Sequence, residues 1–116
     1  MKSKMLLCFL SLFMAAAGAS ANERIYVNRE VTTHIVMPEN IKMVDISTTK
    51  IAGNQCTDNI VRIKPSCGSD SIPEAGYRDN ELLGTLTLIG ERHIAQYDIL
   101  YTQSPQMAAS LFEVPY

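Results

Sequence analysis

The stretch LLGTLTLIGERHIAQYDILY, residues 82–101, decides the fold class of this chain. Apolar and polar residues alternate on both sides of Gly90-Glu91, as they do in strands that bury one face. With Gly90-Glu91 as a two-residue type II′ turn, the facing pairs are Leu88/His93, Leu86/Ala95 and Gly84/Tyr97. This register collects the apolar side chains on one face, whereas a slip by one residue would mix the two faces. The stretch therefore predicts an antiparallel hairpin against a core.

A period of two residues also dominates the chain outside this hairpin, so the fold class is predicted as all-β. The predicted strands are Arg24 to Asn28, Val31 to Met37, Ile41 to Ser47, Asn59 to Lys64, Leu82 to Ile89 and Arg92 to Thr102. This pattern favours an antiparallel β-sandwich, with an open barrel as the related alternative. The residues predicted in the core are Val31, Ile35, Val61, Ile63, Leu86, Leu88, Ala95, Tyr97 and Ile99.

The N-terminus has the pattern of a secretory signal peptide. Lys2 and Lys4 precede an apolar run from Met5 to Ala19, and Ala19-Ser20-Ala21 is typical of a cleavage site. An uncleaved membrane anchor is the alternative, but a run of about 15 residues is short for a bilayer that needs about 20. We therefore predict a signal peptide over residues 1–21, followed by a β-sandwich domain over residues 22–103.

The remaining segment, residues 104–116, is predicted as a short helix or as the start of a linker to a C-terminal domain. Ser104 is a residue type that caps helices, and Pro105 is favoured in the first helical turn. Met107 and Leu111 would then lie on one helix face. An apolar helix so near the last residue favours the interpretation that the chain is the front part of a longer protein; a compact domain with a docked terminal helix is the alternative.

Charge and cysteine content narrow the class of partner. Removal of Lys2 and Lys4 leaves 8 basic and 12 acidic residues, a net charge of −4. Without a basic cluster, direct binding to nucleic acid is not expected. Two cysteines, Cys56 and Cys67, remain in an exported chain, where disulfides persist. They are predicted either to form a disulfide or to remain as two thiols.

No set of residues has the spacing of a catalytic, cofactor or metal site. His34, Cys56, Cys67 and His93 lack the close ligand pairs of structural zinc sites. No local signature of a thiol hydrolase surrounds either cysteine. We predict no enzyme activity, no cofactor and no metal; His34 is expected on a strand surface and His93 near a loop carbonyl.

Three blocks of the sequence closely resemble the TraN family of Gram-negative conjugative transposons. They are VTTHIVMPENIKMVDIS (residues 31–47), GNQCTDNIVRIKP (53–65) and GTLTLIGERHIAQY (84–97). The resemblance extends from about Ile25 to the C-terminus, and it corresponds to the N-terminal part of the family's proteins. The loop from Ser66 to Tyr77, with Cys67, does not match the family pattern. A disulfide is therefore not implied by the resemblance.

The resemblance implies a periplasmic structural component of a type IV secretion channel, similar to outer-membrane core subunits with two β-sandwiches. Its partners would be other transfer proteins of the envelope; the full-length protein would be an oligomer, and contact with the membrane would be indirect. A protein of this kind binds through surfaces and strand edges, here Arg24 to Asn28 and Ile41 to Ser47. Two alternatives stay open: a stand-alone periplasmic binding module, and a small enzyme that uses Cys56 with His93.

Overall fold

The computed structural model describes residues 22–66 and 76–115 of the chain. The predicted signal peptide and Cys67 lie outside these residues. In chain order, the elements of the described part are β1 (Glu23–Val27), β2 (Thr33–Val36), β3 (Ile41–Ile46), β4 (Ile51–Thr57), β5 (Ile60–Pro65), β6 (Leu82–Gly90), β7 (Ile94–Tyr101), a 3-10 helix (Pro105–Met107) and β8 (Leu111–Glu113). This part of the chain contains no helix with the length and apolar character needed to cross a membrane.

The strands form two four-stranded sheets. Sheet I has the order β1-β7-β6-β3, and sheet II has the order β4-β5-β2-β8. The prediction of purely antiparallel strands is wrong, because β1 runs parallel to β7 and β8 runs parallel to β2. Each parallel pair joins distant segments of the chain, which requires a crossover rather than a hairpin. Alternation of apolar residues indicates which face is buried, but it does not indicate the direction of the neighbouring strand.

One hydrophobic core takes side chains from both sheets, an arrangement compatible with a β-sandwich. The buried residues among those predicted in the core are Ile35, Val61, Ile63, Leu86, Leu88, Tyr97 and Ile99. Ala95 is half-buried and packs against this core. Val31 is also only half-buried, because the chain turns there and Val31 forms an isolated bridge with Asn28. The strand that follows therefore begins at Thr33.

The hairpin of β6 and β7 forms, but its register differs by two residues from the predicted one. The observed pairs include Ile89/Ile94, Leu88/Ala95, Leu86/Tyr97 and Gly84/Ile99. The Gly90 N–H donates to the His93 carbonyl at 2.8 Å, so Glu91 and Arg92 occupy the centre of the turn. A shift of two residues leaves each side chain on its predicted face. The apolar face is therefore retained although the turn was misplaced.

The predicted C-terminal helix is limited to the single 3-10 turn Pro105–Met107, and Ser104 makes no side-chain capping bond to it. Leu111 belongs to β8 instead of a helix. This strand lies beyond the predicted domain boundary at residue 103, yet it is an edge of sheet II. The open side of β2 determines this outcome: the His34 N–H donates to the Ser110 carbonyl at 3.0 Å, and the Val114 N–H donates to the Val36 carbonyl at 2.8 Å.

Candidate interaction surfaces

The cysteine and the histidines considered for thiol or metal chemistry lie on separate elements. Cys56 is on β4, His34 is on β2, and His93 is in the turn between β6 and β7. Within residues 22–66 and 76–115, no group of three or more His, Cys, Asp or Glu side chains could hold a metal ion. Cys56 is exposed and forms no disulfide with another described residue, and its Sγ lies 3.5 Å from the Ile60 carbonyl oxygen. Because Cys67 is outside the described residues, pairing between the two cysteines stays a prediction.

His93 takes part in a set of hydrogen bonds around Glu39, here called the Glu39 cluster (Glu39, Gly90, Arg92 and His93). Glu39 lies in the turn between β2 and β3, and its Oε2 accepts from the N–H groups of Arg92 at 2.6 Å and His93 at 3.0 Å. Its Oε1 lies 2.8 Å from Nδ1 of His93. A carboxylate can only accept, so Nδ1 carries the proton. The partner of Nδ1 is therefore the Glu39 carboxylate, whereas the sequence predicts a loop carbonyl.

These contacts determine the charge state of Glu39. The hydrogen bond from the Arg92 N–H has the largest effect, burial opposes it, and the bonds from His93 add to it, so that the pKa of Glu39 falls from its ordinary 4.5 to about 2. The absence of a side chain at Gly90 leaves room for the Glu39 carboxylate. A Cβ at this position would collide with Oε2 of Glu39 and lie 2.9 Å from its Cδ. The cluster therefore links the turn between β2 and β3, where the chain passes from sheet II to sheet I, to the turn between β6 and β7. This is a structural role.

The longest run of exposed residues in the described part of the chain lies along the edge strand β4 and the turn that follows it. Ile51 is buried, but every residue from Ala52 to Asp58 is exposed. The strand reads IAGNQCT, with no charged residue and no proline. Its pairing with β5 has an irregularity between Gln55 and Thr57, where Cys56 is the additional residue. Among the residues that the structure describes, this seven-residue edge pairs with a neighbouring strand on one side only.

The hydrogen bonds at the start of β4 show which of its backbone groups point outward. The Ser66 N–H donates to the Lys50 carbonyl at 2.8 Å. Residues that exchange hydrogen bonds alternate along an antiparallel pair, so Ala52 and Asn54 bond to β5 in the same way. The N–H and C=O groups of Gly53 and Gln55 therefore point away from β5. They form a row of donors and acceptors on the outside of sheet II.

The other three edges carry features that oppose strand addition. The strand β1 carries Glu23 and Arg24, and β3 carries Lys42 and Asp45. The strand β8 has only three residues. Charges and short length are ways in which natural sheets discourage edge pairing. Both stretches expected as edges from the sequence, β1 and β3, do lie at the edges of sheet I, but β4 is longer and uncharged.

The outer face of sheet I has apolar residues at both ends and polar residues between them. At one end Met43, Ile89 and Ile94 are neighbours across three strands, and Met43 and Ile94 are 52% and 74% exposed. At the other end an open cleft of about 450 Å³ is lined by Arg24, Tyr26, Asn80, Leu82, Asp98 and Leu100. Exposed apolar residues in contact with one another are typical of binding surfaces. This face is therefore a second candidate contact surface.

The strands predicted from the sequence do not include β4. The strand has no apolar alternation, since both of its faces are exposed beyond Ile51. One signal was present: Asp58-Asn59 is a two-residue turn that joins Thr57 to Ile60. Turn residues of this type between two extended runs are typical of a hairpin. The segment before them could have been assigned as a strand on that basis.

Comparison with protein-family models and with curated proteins finds no match for this chain. The resemblance to the TraN family therefore stays an expectation from the three sequence blocks. The exposed surfaces of the described residues are the structural guide to what the domain does.

Proposed function

We propose that this protein is a structural subunit of a conjugative DNA-transfer apparatus of the type IV secretion class. In this proposal it is exported to the periplasm, associates with the outer-membrane part of the channel, and acts by binding other transfer proteins. The observation that carries the proposal is the open β4 edge, whose residues Ala52 to Asp58 are exposed. An edge of this kind accepts a further strand through backbone hydrogen bonds.

The resemblance to the TraN family supports the choice of apparatus, and the shape of the domain supports the mode of action. In the described residues, two sheets with four edges and a group of exposed apolar residues on the outer face of sheet I offer several contact surfaces on one small domain. Glu39 accepts three hydrogen bonds, and these join two turns of the same chain. Assembly through surfaces requires no reactive group, which agrees with the predicted absence of catalysis.

The test is recovery of partners from donor cells that carry the transfer genes. The chain, tagged at its C-terminus, is purified from the envelope and its partners are identified by mass spectrometry. We expect other transfer proteins in a large assembly. The intact mass of the tagged protein should correspond to a chain that begins at Asn22. A lone monomer, or a chain that is not exported, would contradict the proposal.

A substitution at the β4 edge tests whether recovery of the partner proteins depends on this strand. Gln55→Pro removes an outward N–H to which no other strand of the described residues is paired, and proline is tolerated at such edge positions. Gln55→Ala is the matched control, because it also loses the bond from Nε2 to the Asp58 carbonyl but keeps the N–H. We expect Gln55→Pro to reduce recovery of the partners and Gln55→Ala to preserve it. Deletion of β1 would be a poor test, since Ile25 and Val27 are buried in the core.

The two alternatives predict different results in simple experiments. A small cysteine-dependent enzyme requires an activated thiol, which would react with an alkylating reagent much faster than an ordinary exposed cysteine. Cys56 contacts a backbone carbonyl, and we expect it to react at an ordinary rate. A stand-alone binding module would be recovered as a monomer with a small molecule in the cleft beside Leu100.

A further inference from the structure

We propose that β4 pairs with β4 of a second copy of this chain, antiparallel and about a two-fold axis at Asn54. Sheet II would then continue from one copy into the next. This inference rests on the proposed function, because it names the occupant of the edge through which that function acts. It follows from the direction of the backbone groups, the absence of charge and the symmetry of the strand.

The backbone of β4 is self-complementary about Asn54. Gly53 and Gln55 point their N–H and C=O groups outward, as the bond between Ser66 and Lys50 implies. A two-fold axis at Asn54 brings Gly53 opposite Gln55 of the second copy, and the same pair occurs again by symmetry. Both members of each pair direct donors and acceptors toward the other strand. The centre of the contact would therefore be closed by backbone hydrogen bonds without any adjustment of register.

The side chains of β4 also allow self-pairing. Across the same axis Asn54 faces Asn54, and Ala52 faces Cys56, all of them uncharged. Self-pairing of β1 or β3 would bring four charges into the contact, and only a register that sets opposite charges across from each other would avoid like-charge repulsion. β4 carries no charge, so it has no such requirement. Asn54 is already oriented, because its Oδ1 accepts from Nε of Arg62 at 2.8 Å.

The size of the contact limits its strength. One pair of short strands buries much less area than a stable dimer interface of about 1,200 Å² or more. We therefore expect weak association of isolated chains, which becomes strong when several contacts act together in an assembly. A two-fold contact joins copies only in pairs, so a larger assembly also needs a second surface. The exposed apolar residues Met43 and Ile94 on the outer face of sheet I are available for that purpose.

Cross-linking tests the register directly. In a Cys56→Ser, Cys67→Ser background, Asn54→Cys places one thiol of each copy opposite the other, at a separation that a disulfide can span. We expect mild oxidation of the exported chain to give a covalent dimer. Arg62→Cys is the matched control, because this residue lies beside Asn54 on the inner strand β5. Equal dimer formation by both variants, or none by Asn54→Cys, would overturn the pairing.

Self-association without a cross-link is the second measurement. We expect sedimentation equilibrium to show a monomer and a dimer in exchange. The association constant should be lower by about tenfold or more for Gln55→Pro, because the lost hydrogen bond occurs twice in a symmetric dimer. It should be unchanged for Gln55→Ala. A dimer that is insensitive to Gln55→Pro would place the contact elsewhere and overturn the inference.

The two proposals fail in distinguishable ways. If transfer proteins are recovered from donor cells but Asn54→Cys does not cross-link, the edge binds a different strand and only the inference is wrong. If cross-linking and sedimentation show the pairing but no transfer protein is recovered, the dimer is real and the proposed function is wrong.

Discussion

Glu39 shows how a single side chain can fix the position of a turn. Its two oxygens accept from Arg92 and His93, which lie 53 and 54 residues further along the chain. With these bonds in place Glu91 and Arg92 occupy the turn, and Gly90 becomes the last residue of β6. A side chain at this position would collide with Glu39 in its hydrogen-bonded position, whereas the backbone of Gly90 does not use a positive φ.

Removing the charge of Glu39 should change how stability depends on pH. The pKa of this carboxyl is lowered to about 2 in the folded protein, against 4.5 for an ordinary glutamate. A lowered pKa stabilises the fold at pH values above 4.5, and this stabilisation is lost as pH falls toward 2. We expect Glu39→Gln to lower the melting temperature at pH 6, with a difference from the original chain that shrinks toward pH 2.

Melting curves between pH 2 and pH 7 measure this effect, and Glu91→Gln is the control. Glu91 forms an exposed pair with Lys42, in which the two side chains are 59% and 58% accessible. Exposed pairs of this kind contribute little to stability. A difference for Glu39→Gln that stays constant over the whole range would show that its carboxylate is not the group that titrates.

Gly90→Ala tests the steric half of the same cluster. A methyl group at this position collides with Oε2 of Glu39, and we expect a loss of about 1–3 kcal/mol in the free energy of unfolding, as for other overpacked sites. In a Glu39→Ala background the collision is absent, so the cost of Gly90→Ala should be much smaller. Urea unfolding of the two single variants and the double variant measures this coupling. Equal costs in both backgrounds would contradict the proposed contact.

At the scale of elements, the C-terminal segment shows that pairing partners decide between helix and strand. Capping residues favoured a helix after Ser104, yet β2 offers a row of unpaired backbone groups beside which residues 111–113 become β8. Phe112 then packs edge-on against Tyr97 of the opposite sheet, with ring centroids 5.0 Å apart. This contact links the edge of sheet II to sheet I across the core.

Phe112→Ala should therefore weaken the whole domain. Phe112 is half-buried, and we expect a loss of about 1–3 kcal/mol in the free energy of unfolding, less than for a fully buried phenylalanine. Leu111→Ala on the same strand is the control, because Leu111 is 59% exposed and its removal should cost about 0.5 kcal/mol or less. Urea unfolding measures both. Similar costs for the two variants would mean that β8 does not contribute to the core as described.

For the whole molecule, the shared core implies that the two sheets unfold together. The core combines Leu86 and Tyr97 of sheet I with Ile35 and Val61 of sheet II. The chain also passes between the sheets at several turns, so neither sheet is a continuous piece of sequence. A domain of this size has a free energy of unfolding of roughly 5–10 kcal/mol, which one large cavity in the core would reduce substantially.

Leu86→Ala tests this cooperativity. The new cavity should cost about 2–5 kcal/mol, and native-state hydrogen exchange should show the same loss for the most protected amides of β5 and of β7. Ile94→Ala is the control, because Ile94 is 74% exposed and its removal should leave both groups of amides unchanged. A loss confined to β6 and β7 would show that the sheets open separately.

The sequence by itself determined the fold class, most of the strands and the faces that they bury. These features depend on local alternation, and the two-residue register shift in the hairpin left the faces of Leu86 and Leu88 unchanged. The tertiary structure alone decided what depends on contacts between distant segments. It made β1 and β8 parallel neighbours of other strands, replaced the C-terminal helix with β8, and joined Glu39 to His93. It also exposed β4 on both faces, because a strand outside the core has no apolar alternation by which its sequence could reveal it.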